Sequence, residues 1–192
     1  RLLASALELF AKKGFSETSV REVCEHARAN IAAVSYHFGS KDGLFEAVLE
    51  NQFSMPRKEL ELVLQLPTGV TDFRVRLEVA CNIIGHFNSE NYLLLGLLES
   101  ESIRSSIAEA KLESAQAETI KMFTKFFSQA KRSGFMRSCL NPHNCAETIL
   151  KLLAVTRNGK LPKIKGQELM ELLMNGLAGL PEPDNVKSLK GK

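Results

Sequence analysis

Apolar side chains recur at spacings of three and four residues along most of the chain. At its start, Leu3, Ala6, Leu7 and Phe10 follow this spacing, which places them on one face of an amphipathic helix. The same periodicity returns in further segments that are separated by short polar breaks. It predicts helices over about 1–13, 20–27, 31–37, 41–56, 58–65, 72–87, 105–133, 142–153 and 167–179.

The breaks between the first helices carry residues that stop and start helices. Gly14 is suited to end the first helix, because glycine tolerates the backbone conformation found at helix C-termini. Thr18 or Ser19 is suited to cap the second helix and Asn30 the third, since their side-chain oxygens accept hydrogen bonds from unpaired N–H groups. These caps predict where two short helices begin.

Proline and glycine mark the later breaks. Pro56 lacks a backbone N–H, so we expect the fourth helix to end or bend there and a separate helix to follow over 58–65. Gly134 is suited to end the long helix. Asn141 and Pro142 combine a capping residue with a proline at the first helical position, which predicts a helix start there.

Composition agrees with an all-α protein. Trp is absent and Tyr occurs twice among 192 residues, whereas the good helix formers Leu, Ala, Glu and Lys are frequent. No apolar run reaches the roughly 20 residues that a membrane-spanning helix needs, so we expect no membrane association. The four cysteines show no regular disulfide spacing, which favours a cytoplasmic protein.

The second and third predicted helices are joined by only three residues, Arg28, Ala29 and Asn30. This is the spacing of a helix-turn-helix unit, whose second helix lies in the major groove of DNA. A plain three-helix bundle with a tight corner has the same spacing. The spacing alone therefore leaves both interpretations open.

The order of small, apolar, polar and glycine positions is more specific than the spacing. The residues that carry this order are Ala6, Leu9, Phe10, Gly14, Phe15, Thr18, Val20, Val23, Tyr36, His37, Phe38, Ser40, Lys41 and Leu44. On these residues the chain resembles the tetracycline-repressor (TetR) family of bacterial transcription regulators. The resemblance implies a three-helix DNA-binding domain over 1–48 and a larger helical effector-binding and dimerisation domain over 49–180. We expect the tail over 181–192 to be disordered.

The resemblance also implies which residues contact double-stranded operator DNA. Thr18 and Ser19 would offer hydroxyl and N–H groups to a phosphate at the start of the second helix. Tyr36, His37 and Lys41 match family positions that grip the DNA backbone. The remaining expected DNA-binding residues are Arg28, Asn30, Ile31, Ala32, Ala33 and Ser35.

Two features depart from the family pattern. Family members usually have glycine where Arg28 stands, because the turn needs a positive φ, and a non-glycine residue there costs roughly 1–2 kcal/mol. Residues 1–50 also carry six basic and seven acidic side chains, a sum of −1, rather than the excess of positive charge that DNA-binding domains often have. This acidic balance favours an alternative, a helical small-ligand-binding or interaction protein with a non-functional helix-turn-helix.

The second half of the chain is expected to dimerise and to bind a small, largely apolar effector. Segments 146–153 and 169–177 are too apolar to face water, so we expect them to form a four-helix bundle with their counterparts in a homodimer, although burial within one chain would also explain them. The residues expected to line an effector site are His86, Asn88, Tyr92, Leu94, Leu98, Glu99, Met122, Phe123 and Phe126. Ordinary core packing is the competing explanation for the apolar members of this set.

Catalysis is not expected. The sequence has no carboxylate pair, nucleophile motif or phosphate-binding loop of a known kind. Cys139, His143 and Cys145 are close in sequence, but their spacing fits no common zinc site. We therefore expect no cofactor, no metal and no enzymatic activity, and a DNA-binding regulator that a small molecule releases from its operator.

Overall fold

The computed structural model describes residues 1–91 and 106–157, together with Leu94, Leu95, Leu98, Glu171 and Asn175. The all-α class predicted from the sequence is confirmed. The helices of the described part are α1 (Leu2–Lys13), α2 (Val20–Ala27), α3 (Ile31–Phe38), α4 (Lys41–Val63), α5 (Val70–Glu90), α6 (Ser106–Arg132) and α7 (Pro142–Arg157). Within these described ranges, no helix is both long and apolar enough to cross a membrane.

The end of α1 and the starts of α2 and α3 lie where their capping residues predict. The Gly14 N–H donates to the Phe10 carbonyl at 2.9 Å where α1 ends. The Ser19 Oγ accepts from the N–H of Glu22 at 3.1 Å and caps α2. The Asn30 Oδ1 accepts from the N–H of Ala32 at 2.8 Å and caps α3. These side chains satisfy donors that the first turn of a helix leaves unpaired.

Helix α4 corrects one prediction. It runs without a break from Lys41 to Val63, with Pro56 in its interior, so the helix does not end at Pro56 and no separate helix spans 58–65. The missing N–H at Pro56 removes one backbone hydrogen bond. Beyond the proline, however, Leu60 and Leu64 are both buried. The free energy gained by burying these side chains outweighs the loss of a single hydrogen bond.

The later helices agree with their predicted boundaries where the structure describes them. Gly134 has φ +77° and follows α6, and the Phe135 N–H donates to the Ala130 carbonyl at 2.9 Å, which is the pattern of a glycine-terminated helix. The Asn141 Oδ1 accepts from the N–H of Asn144 at 3.1 Å and caps α7. The helix predicted over 167–179 lies outside the described residues, apart from Glu171 and Asn175.

The chain divides into two compact units. The first unit comprises Arg1–Glu59 and Ile83–Thr119, and the second comprises Leu60–Asn82 and Ile120–Lys192. The core of the first unit combines side chains from α1 to α4 with three leucines from further along the chain. Its buried members are Ala6, Leu9, Phe10, Val23, Cys24, Val34, Leu44, Phe45, Val48, Leu49, Leu94, Leu95 and Leu98.

A row of ion pairs joins α4 to the first half of α6 within the first unit. The Lys111 ammonium lies 3.2 Å from Glu46 and 3.5 Å from Glu50. The Arg57 guanidinium lies 3.3 Å from Glu50 and 3.2 Å from Glu118. Because these groups are partly exposed, each pair contributes little to stability, but together they neutralise carboxylates on α4.

The second unit has an aromatic core. Phe73 of α5 stacks on Phe126 of α6 with ring centroids 5.3 Å apart, and Phe127 packs against both rings. On α7, Ala146, Ile149 and Leu153 are buried within the single chain. Burial inside one chain therefore accounts for this face of α7, which the sequence suggested as part of a dimer interface.

Candidate nucleic-acid interface

Helix α3 leaves nearly all of its side chains exposed to solvent. Of its eight residues only Val34 is buried, while Tyr36 is 85% and Ile31 is 48% exposed. A helix this short is not stable alone, so it is held by Val34, by the Asn30 cap and by its connections. Large apolar and aromatic side chains left in water on such a helix mark a contact surface.

The other predicted members of this surface lie on the same short segment. Ala32, Ala33, Ser35 and His37 are exposed, and so is the capping residue Asn30. The segment Ile31–Phe38 contains no acidic residue. The exposed face of α3 therefore combines methyl groups, a hydroxyl, a phenol and an imidazole, which are side chains that can contact base edges and phosphates.

The turn before α3 has the backbone conformation that the sequence predicted. Arg28 has φ 51° and ψ 48° and is the one non-glycine residue with positive φ among the described residues. The N–H of Ala29 donates to the Cys24 carbonyl at 2.8 Å, which closes the end of α2. Arg1 donates from its Nη2 to the Arg28 carbonyl at 3.1 Å. The Arg28 side chain itself is exposed beside α3.

The junction between α3 and α4 depends on a glycine that sequence reasoning did not single out. A Cβ atom at Gly43 would lie 2.1 Å from the Phe38 carbonyl oxygen, a distance that no real contact allows. The Gly43 N–H donates to the Ser40 Oγ at 3.1 Å. The first turn of α4 can therefore approach the end of α3 closely, and this approach fixes the direction of α3.

Thr18 lies inside the domain. It is 1% exposed, and its hydroxyl is 2.8 Å from the Gly14 carbonyl oxygen and 3.3 Å from that of Leu9. Its hydroxyl is thus committed to the end of α1 in this structure. Ser19, in contrast, is exposed at the start of α2, where an anion would meet unpaired N–H groups.

Lys41 also points into the domain rather than towards solvent. Its ammonium donates to the carbonyl oxygens of Phe15 at 2.8 Å, Ser16 at 3.2 Å and Thr18 at 3.0 Å. It also lies 4.5 Å from the centroid of the Phe15 ring. Since an ammonium has three donors, all of them are used within the protein.

Ion pairs account for the acidic side chains of α1 and α2. Lys12 lies 2.6 Å from Glu8, and its hydrogen bond holds the pKa of the Glu8 carboxyl below its ordinary value. Lys13 pairs with Glu22 and lowers the pKa of that carboxyl in the same way. A third pair joins Arg21 to Glu25 at 3.0 Å. Each acidic side chain of α1 and α2 is therefore paired with a basic one, and α3 carries no acidic side chain.

The predicted effector residues are distributed over both units. In the first unit, His86 is exposed and its Nε2 lies 3.1 Å from Glu90, Asn88 is half-buried, and Leu94 and Leu98 belong to the core.

In the second unit, Phe123 and Phe126 are buried and Met122 is half-buried. Tyr92 and Glu99 lie outside the described residues. A shared effector site for this set stays a prediction.

Two polar atoms on α6 were not expected from the sequence. The Thr124 Oγ1 and the Gln129 Oε1 are buried, and neither has a hydrogen-bond partner among the residues that the structure describes. Gln129 follows Met122 by seven residues and Phe126 by three, so the three share one face of α6. Nothing in the periodicity distinguishes such a glutamine from a solvated one, because its burial depends on tertiary packing.

Comparison with known proteins identifies the N-terminal segment. Residues 2–48 match the family described as bacterial regulatory proteins, tetR family. A probable HTH-type transcriptional regulator of Bacillus subtilis, YttP, is 43% identical over 107 residues, which cover 56% of this chain and 52% of that protein. The chain thus spans about half the length of this curated relative.

Solved structures of low sequence identity share the fold. The transcriptional regulator FadR from Bacillus subtilis, in complex with stearoyl-CoA, superposes with a TM-score of 0.72 at 13% identity, covering 91% of this chain and 97% of that one. AibR in complex with isovaleryl coenzyme A and operator DNA gives a TM-score of 0.60 at 18% identity, covering 91% and 92%. These likenesses extend over both compact units of the chain.

Proposed function

Because the chain belongs to the TetR family of bacterial regulatory proteins through its N-terminal domain, we propose that it binds a palindromic operator as a homodimer and represses transcription from it. Helix α3 enters the major groove, and a small-molecule effector releases the protein. Occupation of the operator is sufficient to exclude other proteins from the same DNA, so repression needs no additional activity.

The exposure of α3 is the observation that carries this proposal. A solvent-exposed Tyr36 and Ile31 on an eight-residue helix have no role in the core, and their surroundings contain no acidic side chain from α3. The Ile31, Ala32 and Ala33 methyl groups fit the C5-methyl groups of thymine, and the Ser35 hydroxyl can bond several base edges. Tyr36, His37, Arg28 and Ser19 contact phosphates and set the register.

Dimerisation follows from the small size of the DNA-binding domain. One α3 reaches only a few base pairs, whereas two copies related by a two-fold axis read two half-sites about one helical turn, roughly 34–36 Å, apart. We assign the interface to the apolar segment 169–177, together with the half-buried Leu150 and Leu152 of α7.

The effector is a largely apolar small molecule held by the second half of the chain. The aromatic and methionine side chains of α6 are suited to its apolar part. Because FadR was solved with stearoyl-CoA and AibR with isovaleryl coenzyme A, acyl-coenzyme A thioesters are the first compounds to test. A saturating acyl-CoA that dissociates the protein from its operator supports this class, and one that leaves binding unchanged removes it.

Selection from a pool of randomised duplexes tests the DNA-binding proposal and finds the operator sequence in the same experiment. Enrichment of an inverted repeat with half-site centres about 10–10.5 base pairs apart, or a multiple of this, is the expected result. Tyr36→Ala should weaken binding to the enriched duplex at least about tenfold, the loss of one good contact. Met55→Ala, which removes an exposed apolar side chain on α4, serves as the control and should leave binding unchanged.

A pool without enrichment would contradict operator binding. It would instead favour a helical protein that binds small ligands or partner proteins through other surfaces.

A further inference from the structure

The loop between α1 and α2 is held in place from inside the domain by a single cation. Residues 14–19 form no helix, so most of their carbonyl groups lack the partners that secondary structure would supply. The Lys41 ammonium donates to the carbonyls of Phe15, Ser16 and Thr18, and the Phe15 carbonyl also accepts from the Thr18 N–H at 3.3 Å. The Thr18 hydroxyl accounts for a fourth, that of Gly14, at 2.8 Å.

Aromatic packing fixes the position of the ammonium. It lies 4.5 Å from the centre of the Phe15 ring, within the range of a cation–π contact. The Phe15 ring in turn lies 5.5 Å from Phe10 and 5.0 Å from Phe45, centroid to centroid. Lys41 is thus anchored on the core of the first unit, and its half-buried side chain reaches the loop from beneath.

The direction of the carbonyls determines the direction of the N–H groups. In a trans peptide the C=O and N–H of one peptide unit point in opposite directions. Since the carbonyls of Phe15, Ser16 and Thr18 point at Lys41, the N–H groups of Ser16, Glu17 and Ser19 point away from it, on the exposed side of the loop. Lys41 thereby orients the loop that leads into α2.

We propose that Lys41 is a positioning residue for DNA binding, which holds the loop over residues 14–19 in its binding conformation and does not itself contact a phosphate. This inference rests on the proposed DNA-binding function. It differs from the contact that the family resemblance implied for Lys41, because all three donors of the ammonium are already bonded to the protein. Breaking those bonds to reach a phosphate would release the loop that presents Ser19.

Lys41→Met tests this role, because methionine keeps much of the aliphatic stem and removes every donor. Lys12→Met is the matched control, since it removes one charge from the same domain at an exposed position on α1. Hydrogen exchange of the Thr18 amide, which donates to the Phe15 carbonyl at 3.3 Å, should accelerate about tenfold in the free Lys41→Met protein and remain unchanged in Lys12→Met. Unchanged exchange in Lys41→Met would overturn the proposal.

The salt dependence of DNA binding gives the second readout. A lost phosphate contact lowers the slope of log K against log salt concentration by about one unit for each protomer, and therefore by about two units for the homodimer. We expect Lys41→Met to bind the enriched duplex more weakly than Lys12→Met but with the same slope. A slope lowered by about two units relative to the control would make Lys41 a direct phosphate contact.

Lys41→Arg keeps the positive charge and is a second test in case Lys41→Met does not fold. The five N–H donors of a guanidinium lie in one plane on a bulkier head group, so they do not reproduce the geometry in which the ammonium meets the three carbonyls. Exchange of the Thr18 amide should therefore accelerate in Lys41→Arg while the salt slope stays constant. Unchanged exchange and affinity in Lys41→Arg would contradict a role that depends on the ammonium geometry. If the wild-type protein binds no DNA, the proposed function fails, whereas the exchange experiment still decides whether Lys41 holds the loop.

Discussion

Arg28 occupies a backbone conformation that favours glycine. Its φ of 51° and ψ of 48° are left-handed, which costs a non-glycine residue roughly 1–2 kcal/mol. The Arg28 side chain is exposed next to the first turn of α3. A contact between its guanidinium and a DNA phosphate would explain why a strained arginine stands at this position. The family's usual glycine would be the more stable choice for the turn alone.

Two substitutions at Arg28 separate the backbone from the charge. Arg28→Gly should raise the free energy of unfolding by about 1 kcal/mol, because glycine adopts this conformation without strain. Arg28→Ala keeps the strain and should leave stability nearly unchanged. Both variants should lose the same phosphate contact in each protomer, which lowers the salt slope of the homodimer by about two units. Urea unfolding and a salt titration measure the two effects, and equal stability of the variants would contradict the strain.

Gly43 is expected to tolerate no side chain. A Cβ atom there would lie 2.1 Å from the Phe38 carbonyl oxygen, so Gly43→Ala must push α3 and α4 apart. We expect a loss of about 2–4 kcal/mol of stability, as for other substitutions that force the backbone to shift.

Gly85→Ala is the matched control for this substitution. Gly85 lies inside α5, where an added Cβ atom would have no neighbouring atom within 4 Å, and alanine should stabilise that helix by up to about 1 kcal/mol. Thermal unfolding of the two variants decides the matter, and a stable Gly43→Ala protein would mean that the junction can adjust.

At the scale of helices and loops, local chemistry predicted the beginnings and ends well. Ser19, Asn30 and Asn141 cap the helices that the sequence assigned to them, because a cap depends only on residues within one turn. The prediction that a helix ends at Pro56 was wrong because it considered only the residues within one turn. The local effect of the proline is unfavourable to a helix, but the burial of Leu60 and Leu64 depends on residues far away in sequence.

The start of α5 contains a carboxylate whose contribution to the stability of the fold should vary with pH. The Asp72 Oδ2 accepts hydrogen bonds from the Nε of Arg76 at 2.8 Å and from the N–H of Thr68 at 2.9 Å. The bond from Arg76 and that from the Thr68 N–H lower the pKa of Asp72 below its ordinary value of 3.8. The folded state therefore prefers ionised Asp72. The stabilisation that Asp72 gives to the fold is fully present above its ordinary pKa, and it is lost as pH falls through the lowered pKa of the folded state.

Asp72→Asn tests this dependence. The variant should be less stable than the wild type at pH 7, and the difference should shrink as pH falls through the Asp72 pKa of the folded state. Glu78→Gln removes a carboxylate from the same helix and is the control with which the Asp72→Asn difference is compared. Chemical unfolding at a series of pH values measures the difference, and a constant difference would mean that the Asp72 charge is not responsible.

The buried contacts of the candidate interface were beyond the reach of sequence alone. The pattern of residues placed Thr18 and Lys41 in the helix-turn-helix, but it could not show that both point inwards. Whether a hydroxyl or an ammonium faces a carbonyl or the solvent depends on how α1 and α4 pack. The exposed members, Tyr36 and Ile31, were easier to place because a short helix has little room for a buried side.

At the scale of the whole molecule, the core around the helix-turn-helix is not built from one continuous piece of chain. Leu94, Leu95 and Leu98 are buried in the same core as α1 to α4, and Lys111 pairs with Glu46 and Glu50 on α4. Leu94 and Leu98 were predicted to line an effector site, with ordinary core packing as the competing explanation. The structure places both in one core with Val34 of α3.

The salt dependence of binding to the selected duplex tests the central claim most directly. The wild-type protein should bind with log K falling linearly against log salt concentration, with a slope of about −4 or steeper, since a dimer neutralises several phosphates at each half-site. Fluorescence anisotropy at about 50 to 200 mM salt covers the range in which such an affinity changes by orders of magnitude. A folded protein whose affinity for the duplex is absent, or is the same across this range, would contradict the assignment of α3 as a DNA-reading helix.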